Sequence, residues 1–395
     1  MRFIFIASDL QTGGVTSAMR NLCNELILHG HSIDILDLPS AGRLPDGFSP
    51  DIRLIPIKGF VKFWNLGMHT VSRVNGLRKI AYLLLGAVKK LCNRGNLWNR
   101  IVFSGLSLAD TYDVAVGFRQ SPVCYWLAAK KCDARLSIGF WHTDPAFENV
   151  TALESCMKYP DKIACVSNAV TKQMKDKYPQ YAEKFGTVYN LFDAKGIREA
   201  CGESSPYYDR NEFIIVTVSR IEKTPKRIDA IPKICKLLAN KTKASFHWYI
   251  VGNGPDKEEI EQIIKDTGTE AYITFTGEQS NPYPFMSYAD LFVLCSVWES
   301  YGMVIVESLI TGTPVVAGDY PALHEIMTNG KDGVISENTP EAIADVVAEL
   351  LNNSKKYQAL KTGAENYRYT SDLAYGQLVE MIYGDDEIQC NCARI

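Results

Sequence analysis

The 395-residue sequence contains no Cys-x-x-Cys pair, no Asp-x-Asp and no uncharged apolar run of the ~18 residues that mark a bilayer-crossing helix. Its 11 cysteines are odd in number and scattered, the nearest approach being Cys390 and Cys392. A disulfide framework and a thiolate zinc site both need regular spacing, so neither has a candidate. Reduced thiols serving as small apolar residues are expected, and with them a cytoplasmic setting. The opening MRFIFIASDL is apolar only up to Asp9 and no small-residue cleavage site follows, so it reads as a buried strand rather than a leader. No internal repeat or low-complexity tract is visible. One further shortage is local: residues 52–109 hold ten Lys/Arg and no acid.

What is present is ordinary for a folded globular chain, with 46% hydrophobic and 22% charged residues. The net charge of −3 hides an asymmetry, because residues 1–195 carry 24 Lys/Arg against 16 Asp/Glu and the remainder 18 against 29. Halves of opposite sign argue for two bodies. In the first, strand-like runs at 2–7, HSIDILDL, 113–118, 136–141, 162–167 and 187–190 accompany helical spacing such as Val15, Met19, Leu22 and Leu26. The second shows FIIVTVS, FHWYIVG, YITFTG, LFVLCS and PVVAGD, each followed by a helical segment. Such alternation implies parallel sheets covered on both faces, with ligands at the carboxyl ends of the strands. The expected fold class is therefore α/β, with two facing Rossmann-like domains and a central cleft. The bounds are 1–195, a linker at 196–211, a second domain at 212–370, and a C-terminal segment at 371–395 returning to the first domain.

The richest constellation is SVWESYGMVIVES, residues 296–308, between two of the second body's strands. Glu299 falls in the loop after a strand, and Gly302 permits close backbone approach where a helix begins. The free N–H groups of a helix's first turn bind phosphate oxygens, aided by the dipole. Glu307, five residues beyond Gly302, lies about 7.5 Å further along the axis. That is comparable with a phosphate-to-ribose step, and a carboxylate accepts two hydroxyl donors. One loop and helix could thus hold phosphate at the tip, a ribose on Glu307 and a second polyol on Glu299. Two glutamates alone would be ordinary solvated charges; the strand–loop–helix setting is what lifts them above that.

At this point the chain resembles the family-4 retaining glycosyltransferases, whose signature is two glutamates separated by seven residues, as Glu299 and Glu307 are. The family's glycine-containing loop corresponds to Tyr301-Gly302-Met303. The similarity extends through TVSRIEKTPKRID, YIVGNGP, FTGE, YADLFVLCS, TGTPVVA and HEI (324–326), and more thinly through TGGVTSAM, HGH, WHTD, CVSN and YNLFD. It spans nearly the whole chain except 40–110. The resemblance implies a GT-B fold and transfer of a hexosyl unit from a nucleotide sugar with retention of configuration. It further implies Glu299 on donor-sugar hydroxyls, Glu307 on the ribose, and Arg220 and Lys226 on the diphosphate with the helix tip at Gly302, Met303 and Val304. Gly13 and Gly14 are placed near the diphosphate and acceptor, and His142 at the sugar from the other domain.

Cations at the diphosphate make physical sense, because negative charge grows on the leaving group as the glycosidic bond breaks. Two departures stand out. The step from Arg220 to Lys226 is six residues rather than five, which leaves Lys223 as a rival, and the usual glycine after the lysine is Arg227. Gly252-Asn253-Gly254 is a poor dinucleotide fingerprint, since Lys257 stands where a third glycine is needed. Without Asp-x-Asp, the metal-chelating diphosphate site of the other main glycosyltransferase fold has no candidate. No metal or cofactor is expected, and the nucleotide sugar is a substrate.

The expected partners are a nucleotide-sugar donor, with UDP-sugars favoured, and a polysaccharide or lipid-linked oligosaccharide acceptor, but no nucleic acid. The acid-free stretch mixes its cations with Phe60, Phe63, Trp64, Tyr82 and leucines, a pattern suited to the anionic cytoplasmic face of a membrane. Leucines in the core with a solvated basic rim is the other reading. Two competing functions are a non-hydrolysing sugar-nucleotide epimerase of similar fold and a non-catalytic partner subunit of a glycosyltransferase complex.

Overall fold

The computed structural model describes residues 1–8, 10, 13–38, 42–57, 97–108, 110–145, 151–203, 208 and 211–384. β1 (Arg2–Ala7), β2 (Ser32–Asp37), β3 (Arg53–Pro56), β4 (Thr111–Gly117), β5 (Asp133–Trp141), β6 (Lys162–Cys165) and β7 (Phe185–Thr187) form one sheet in the order β3-β2-β1-β4-β5-β6-β7. The second sheet is built from β8 (Phe213–Val218), β9 (Phe246–Val251), β10 (Ile273–Gly277), β11 (Leu291–Leu294), β12 (Val315–Gly318) and β13 (Gly333–Ser336), ordered β10-β9-β8-β11-β12-β13. Every named pairing in both sheets is parallel. Each sheet therefore winds outward in one direction and then reverses, with the switch between β1 and β4 in the first body and between β8 and β11 in the second. Such switch points open a crevice at the strands' carboxyl ends.

The strands are apolar throughout because both faces are covered. In β1, Phe3, Phe5 and Ala7 enter one core with the helix Gly14–Leu28, while Ile4 and Ile6 enter another with the helix Pro122–Lys130. In β8, Ile215 packs toward the helix Ala230–Lys241, and Ile214 and Val216 toward the helix Met303–Ile310. This two-residue alternation is what a strand imposes. Each large aliphatic side chain so buried contributes roughly 1.5–3 kcal/mol.

The helix Asp372–Tyr383 returns to the first body, where Ala374, Leu378 and Ile382 join the core of β1. There the His29 ring stacks on Tyr375 with centroids 3.7 Å apart. Of the expected C-terminal segment, 385–395 lies outside the described residues. The expected linker 196–211 is corrected at its start: Ala194–Ala200 is helical, capped by Asp193, whose Oδ1 accepts from Gly196 N at 2.8 Å. Ile197 is buried with Phe192 and Tyr301 in the second body's core, a local apolar anchor that the polar composition conceals. Likewise the strand expected at 187–190 stops at Thr187.

Most of the acid-free stretch, 58–96, lies outside the described residues. Its first cation is exposed but ion-paired. Arg53 donates from Nε and Nη2 to Asp34 at 2.8 and 2.6 Å and also pairs with Asp110. Asp34 is itself buried and takes further bonds from Arg2 and Tyr112. At the far end of the stretch, the helix Leu97–Val102 exposes Leu97 and Ile101. No helix among the described residues is long and apolar enough to cross a membrane. The eight described cysteines are all free.

Candidate active site

The second body's switch point carries two loops that are bound to each other. After β8, the loop containing Lys226 delivers the Pro225 carbonyl to Val297 N at 2.9 Å. After β11, Glu299 turns toward it, so that Lys226 Nζ lies 2.6 Å from Glu299 Oε1. Ser296 Oγ donates to the same oxygen at 2.7 Å, and the Ser296 carbonyl accepts from Asn338 Nδ2 at 2.8 Å. Asn338 in turn accepts from Arg227 Nη1 at its carbonyl and its Oδ1, at 2.8 and 2.9 Å. Arg227, where the family has glycine, adopts φ 51°. That conformation costs an L-residue roughly 1–2 kcal/mol, which the paired bonds to Asn338 offset.

The rival lysine points elsewhere: Lys223 pairs with Glu259 at 2.7 Å on the exposed flank. Arg220 stands just beyond β8 with its side chain 67% exposed and Nε 3.1 Å from Glu222. It shares the strand end with Lys226 but bonds to neither Lys226 nor Glu299.

Gly302 precedes the helix Met303–Ile310 with φ 95° and, being glycine, brings no side-chain cap to it. A Cβ at Gly302 would sit 2.3 Å from Tyr320 Oη, so the position needs glycine for both conformation and space. Tyr301 is buried beside it, its ring 5.6 Å from that of Tyr189. Met303 and Val304 are half-buried in the helix's first turn. Glu307, half-buried one turn on, has its carboxyl pushed up to about 7 by removal from water, with Arg20 of the first body pulling the other way.

The first body meets this face at its own switch point. Gly13, with φ 149°, precedes the helix that starts at Gly14, and a Cβ on Gly14 would lie 3.8 Å from Met303 Sδ. That is an ordinary van der Waals distance, so the first helix of one body and the Met303 helix of the other stand about one methyl group apart there. His142 follows β5 and is buried, its Nε2 2.7 Å from the Phe118 carbonyl. A carbonyl only accepts, so Nε2 bears the proton. Desolvation pulls the imidazole down to about 4, and it packs against Phe118 and Phe140. His142 is thus a neutral ring, with Nδ1 as its remaining acceptor, and neither a cation nor a proton shuttle near neutral pH. Asp144 is buried on the same rim.

A cavity of about 540 Å³ opens on the other flank of Tyr301, bordered by Tyr189, Glu325, Lys331, Arg368 and Tyr369. Glu299, Lys226 and Glu307 do not line it. Lys226 and Glu299 meet at the second body's strand ends, Met303 and Glu307 face Gly14 and Arg20 of the first body, and His142 stands at the end of β5 among first-body partners. Sequence reasoning assigned no role to Ser296, although it opens the quoted segment three residues before Glu299, nor to Asn338, Arg20 or Tyr189, whose partners are distant in the chain. Glu325 lay within the quoted HEI segment but had no role.

Two Rossmann-like sheets facing across a cleft, with a glycine-started helix and a Lys–Glu pair at the second switch point, define the GT-B architecture. Residues 206–367 match the sequence profile of the family described as "Glycosyl transferases group 1", and the second body is a domain of that family. Over 231 residues the chain is 23% identical to N-acetyl-alpha-D-glucosaminyl L-malate synthase of Bacillus anthracis, covering 58% of this chain and 59% of that one. Over 173 residues it is 29% identical to poly(ribitol-phosphate) alpha-N-acetylglucosaminyltransferase of Staphylococcus aureus, covering 42% and 34%. The chain therefore spans between about a third and three-fifths of these curated relatives. Its fold matches a mutant of TarM from S. aureus, solved with fondaparinux, alpha-GlcNAc-glycerol and UDP, at a TM-score of 0.69 and 15% identity over 96% of this chain and 99% of that one.

Proposed function

We propose that the protein is a retaining glycosyltransferase that moves a hexosyl unit from a UDP-sugar to a polysaccharide or lipid-linked glycan acceptor without a metal ion. The observation that carries this reading is the Lys226–Glu299 pair beside the Gly302 helix tip, with Glu307 one turn further along the same helix. The diphosphate lies at the tip, where first-turn N–H groups and Lys226 face it and Arg220 swings in from its exposed position. Each charge-assisted bond contributes roughly 1.5–3 kcal/mol, and it counts toward rate to the extent that leaving-group charge grows in the transition state. When Lys226 turns to phosphate, Glu299 is released to accept hydroxyls of the donor sugar. Glu307 accepts the ribose hydroxyls, and His142 offers Nδ1 to the sugar from the first body.

The support from relatives is of the same kind: the S. aureus protein named above is an N-acetylglucosaminyltransferase, and the TarM structure holds UDP. Incubation with a panel of nucleotide sugars, following nucleotide release with and without glycan acceptors and with EDTA, tests the proposal. Acceptor-dependent release that survives EDTA is expected. Epimer formation without acceptor would replace the reading by an epimerase, and neither product by a non-catalytic subunit.

A further inference from the structure

Glu325 ends the turn Pro321–Glu325 that follows β12 in the second body, yet its carboxylate is bonded to the first body. The helix Asn168–Lys177 begins after β6, and the hydroxyl of its cap Ser167 accepts from Val170 N. That cap leaves the amides of Asn168 and Ala169, at the positive end of the helix, pointing outward. Glu325 takes both: Oε2 accepts from Asn168 N at 2.8 Å and Oε1 from Ala169 N at 2.8 Å. Tyr189 Oη donates to Oε2 at 2.9 Å and accepts from Asn168 Nδ2 at 2.6 Å. The backbone N–H of Tyr189 is held by Gln377 of the returning helix, and its ring neighbours that of Tyr301, next to Gly302.

From this geometry we infer that Glu325 is a positioning residue, a two-pronged clamp that fixes the carboxyl-end rim of the second body against the first. Both prongs bond main-chain groups of a helix terminus, which no rotamer change can displace. An ionised acceptor makes the bonds of the shorter, stronger kind. The clamp matters because each body brings part of the cleft, the donor loop from one side and His142 with Gly13 and Gly14 from the other. Misplacement by about 1 Å between reacting groups can cost a hundredfold in rate. Tyr189 relays the same constraint to Tyr301 and so to the start of the Gly302 helix. The consequence for rate rests on the transferase reading above, whereas the clamp itself does not.

The test uses the full chain carrying Glu325→Gln, which keeps the shape but turns an amide N–H toward a backbone N–H, and separately Tyr189→Phe, which removes one arm. Amide hydrogen exchange is followed at Asn168 and Ala169, with UDP affinity and steady-state kinetics beside it. In Glu325→Gln, exchange at these two amides should speed at least tenfold, while UDP affinity and donor KM stay within about threefold and kcat falls by ten- to a hundredfold. Tyr189→Phe should show the same pattern more weakly. Unchanged exchange at Asn168 and Ala169 would overturn the clamp, and so would lost protection with unchanged kcat. Parallel loss of UDP affinity and kcat would also overturn it, by showing damage to the donor site. Should the wild-type protein turn over no nucleotide sugar, the transferase reading fails, and the exchange result alone decides the clamp.

Discussion

Lys226 Nζ and Glu299 Oε1 lie 2.6 Å apart across two loops that leave different strands, and Ser296 holds the same carboxylate oxygen from behind. The pair keeps a lysine and an acid, both mostly withdrawn from water, aimed before any ligand arrives. Incoming diphosphate competes for the lysine, while sugar hydroxyls replace it at the acid.

The two lysines of this loop are therefore expected to differ sharply. Lys226→Met should lower kcat/KM by about 100- to 1,000-fold, the range seen on removal of one preorganised charge-stabilising group. Lys223→Met breaks only an exposed, solvent-screened pair with Glu259 and should leave turnover within twofold. Steady-state kinetics on both variants decides the matter; equal losses would mean that the loop reorganises on donor binding.

Glu307 predicts a pH dependence. Its carboxyl is raised to about 7 by desolvation, so the folded protein keeps a proton that the unfolded chain has lost above its ordinary value of 4.5. Stability from this group is full below 4.5 and is lost as pH rises through 7. Ribose hydroxyls bind the ionised form, so affinity should climb toward a plateau above pH 7 and fall up to tenfold per unit below it. UDP-glucose suits the titration, since its diphosphate has no ionisation near neutrality. Glu307→Gln should flatten the profile, weaken binding at pH 8, and stabilise the empty protein there by about 1–2 kcal/mol. A calorimetric series from pH 5.5 to 8.5 reads all three, and an unchanged profile in the variant would assign the titration elsewhere.

Much of this arrangement could be read from sequence because parallel sheets buried on both faces leave continuous apolar runs, FIFIA and FIIVTV among them. A loop placed directly after such a run is then known to sit at a carboxyl end, which put Glu299 and Gly302 in the cleft. Orientation was not legible. Whether Lys223 or Lys226 meets Glu299 depends on Glu259, a partner brought close only by the helix Lys257–Thr267. Glu325 finds its partners 156 and 157 residues back along the chain, beyond any local spacing rule. The acid-free composition around Arg53 hides its pairing, because Asp34 and Asp110 flank it only once β2, β3 and β4 are in place. The helix at Ala194–Ala200 was hidden by its polar composition, although Asp193 ahead of it is a residue type that caps helices.

The composition of the acid-free stretch predicts peripheral binding to anionic membranes. Each basic residue near such a surface contributes about 1 kcal/mol, and screening at high salt removes most of it. With Arg53 committed to Asp34 and Asp110, the attraction must come from the other cations. The full chain should float with phosphatidylserine-containing liposomes at 50 mM salt but not with neutral ones, and should be released near 0.5 M. Failure to float at low salt, with full activity on soluble acceptors, would remove the membrane from the picture.

Gly302 and Tyr320 give a test of packing at the helix tip. An alanine at 302 meets two obstacles, a backbone φ of 95° and the Tyr320 hydroxyl 2.3 Å from the new Cβ. The first costs about 1–2 kcal/mol, and the second forces the ring or the loop to shift. The Tyr320 hydroxyl is buried and has no hydrogen-bond partner among the described residues. Leaving such a group unpaired costs about 1–3 kcal/mol, so Tyr320→Phe should be neutral or stabilising by itself. In the double variant the steric part disappears while the backbone part remains. Urea unfolding of the four proteins should therefore show a favourable coupling of at least about 1 kcal/mol, with Gly302→Ala only partly rescued. Strict additivity would mean that the phenol swings clear of residue 302 in solution, and full rescue that the backbone conformation there carries no strain.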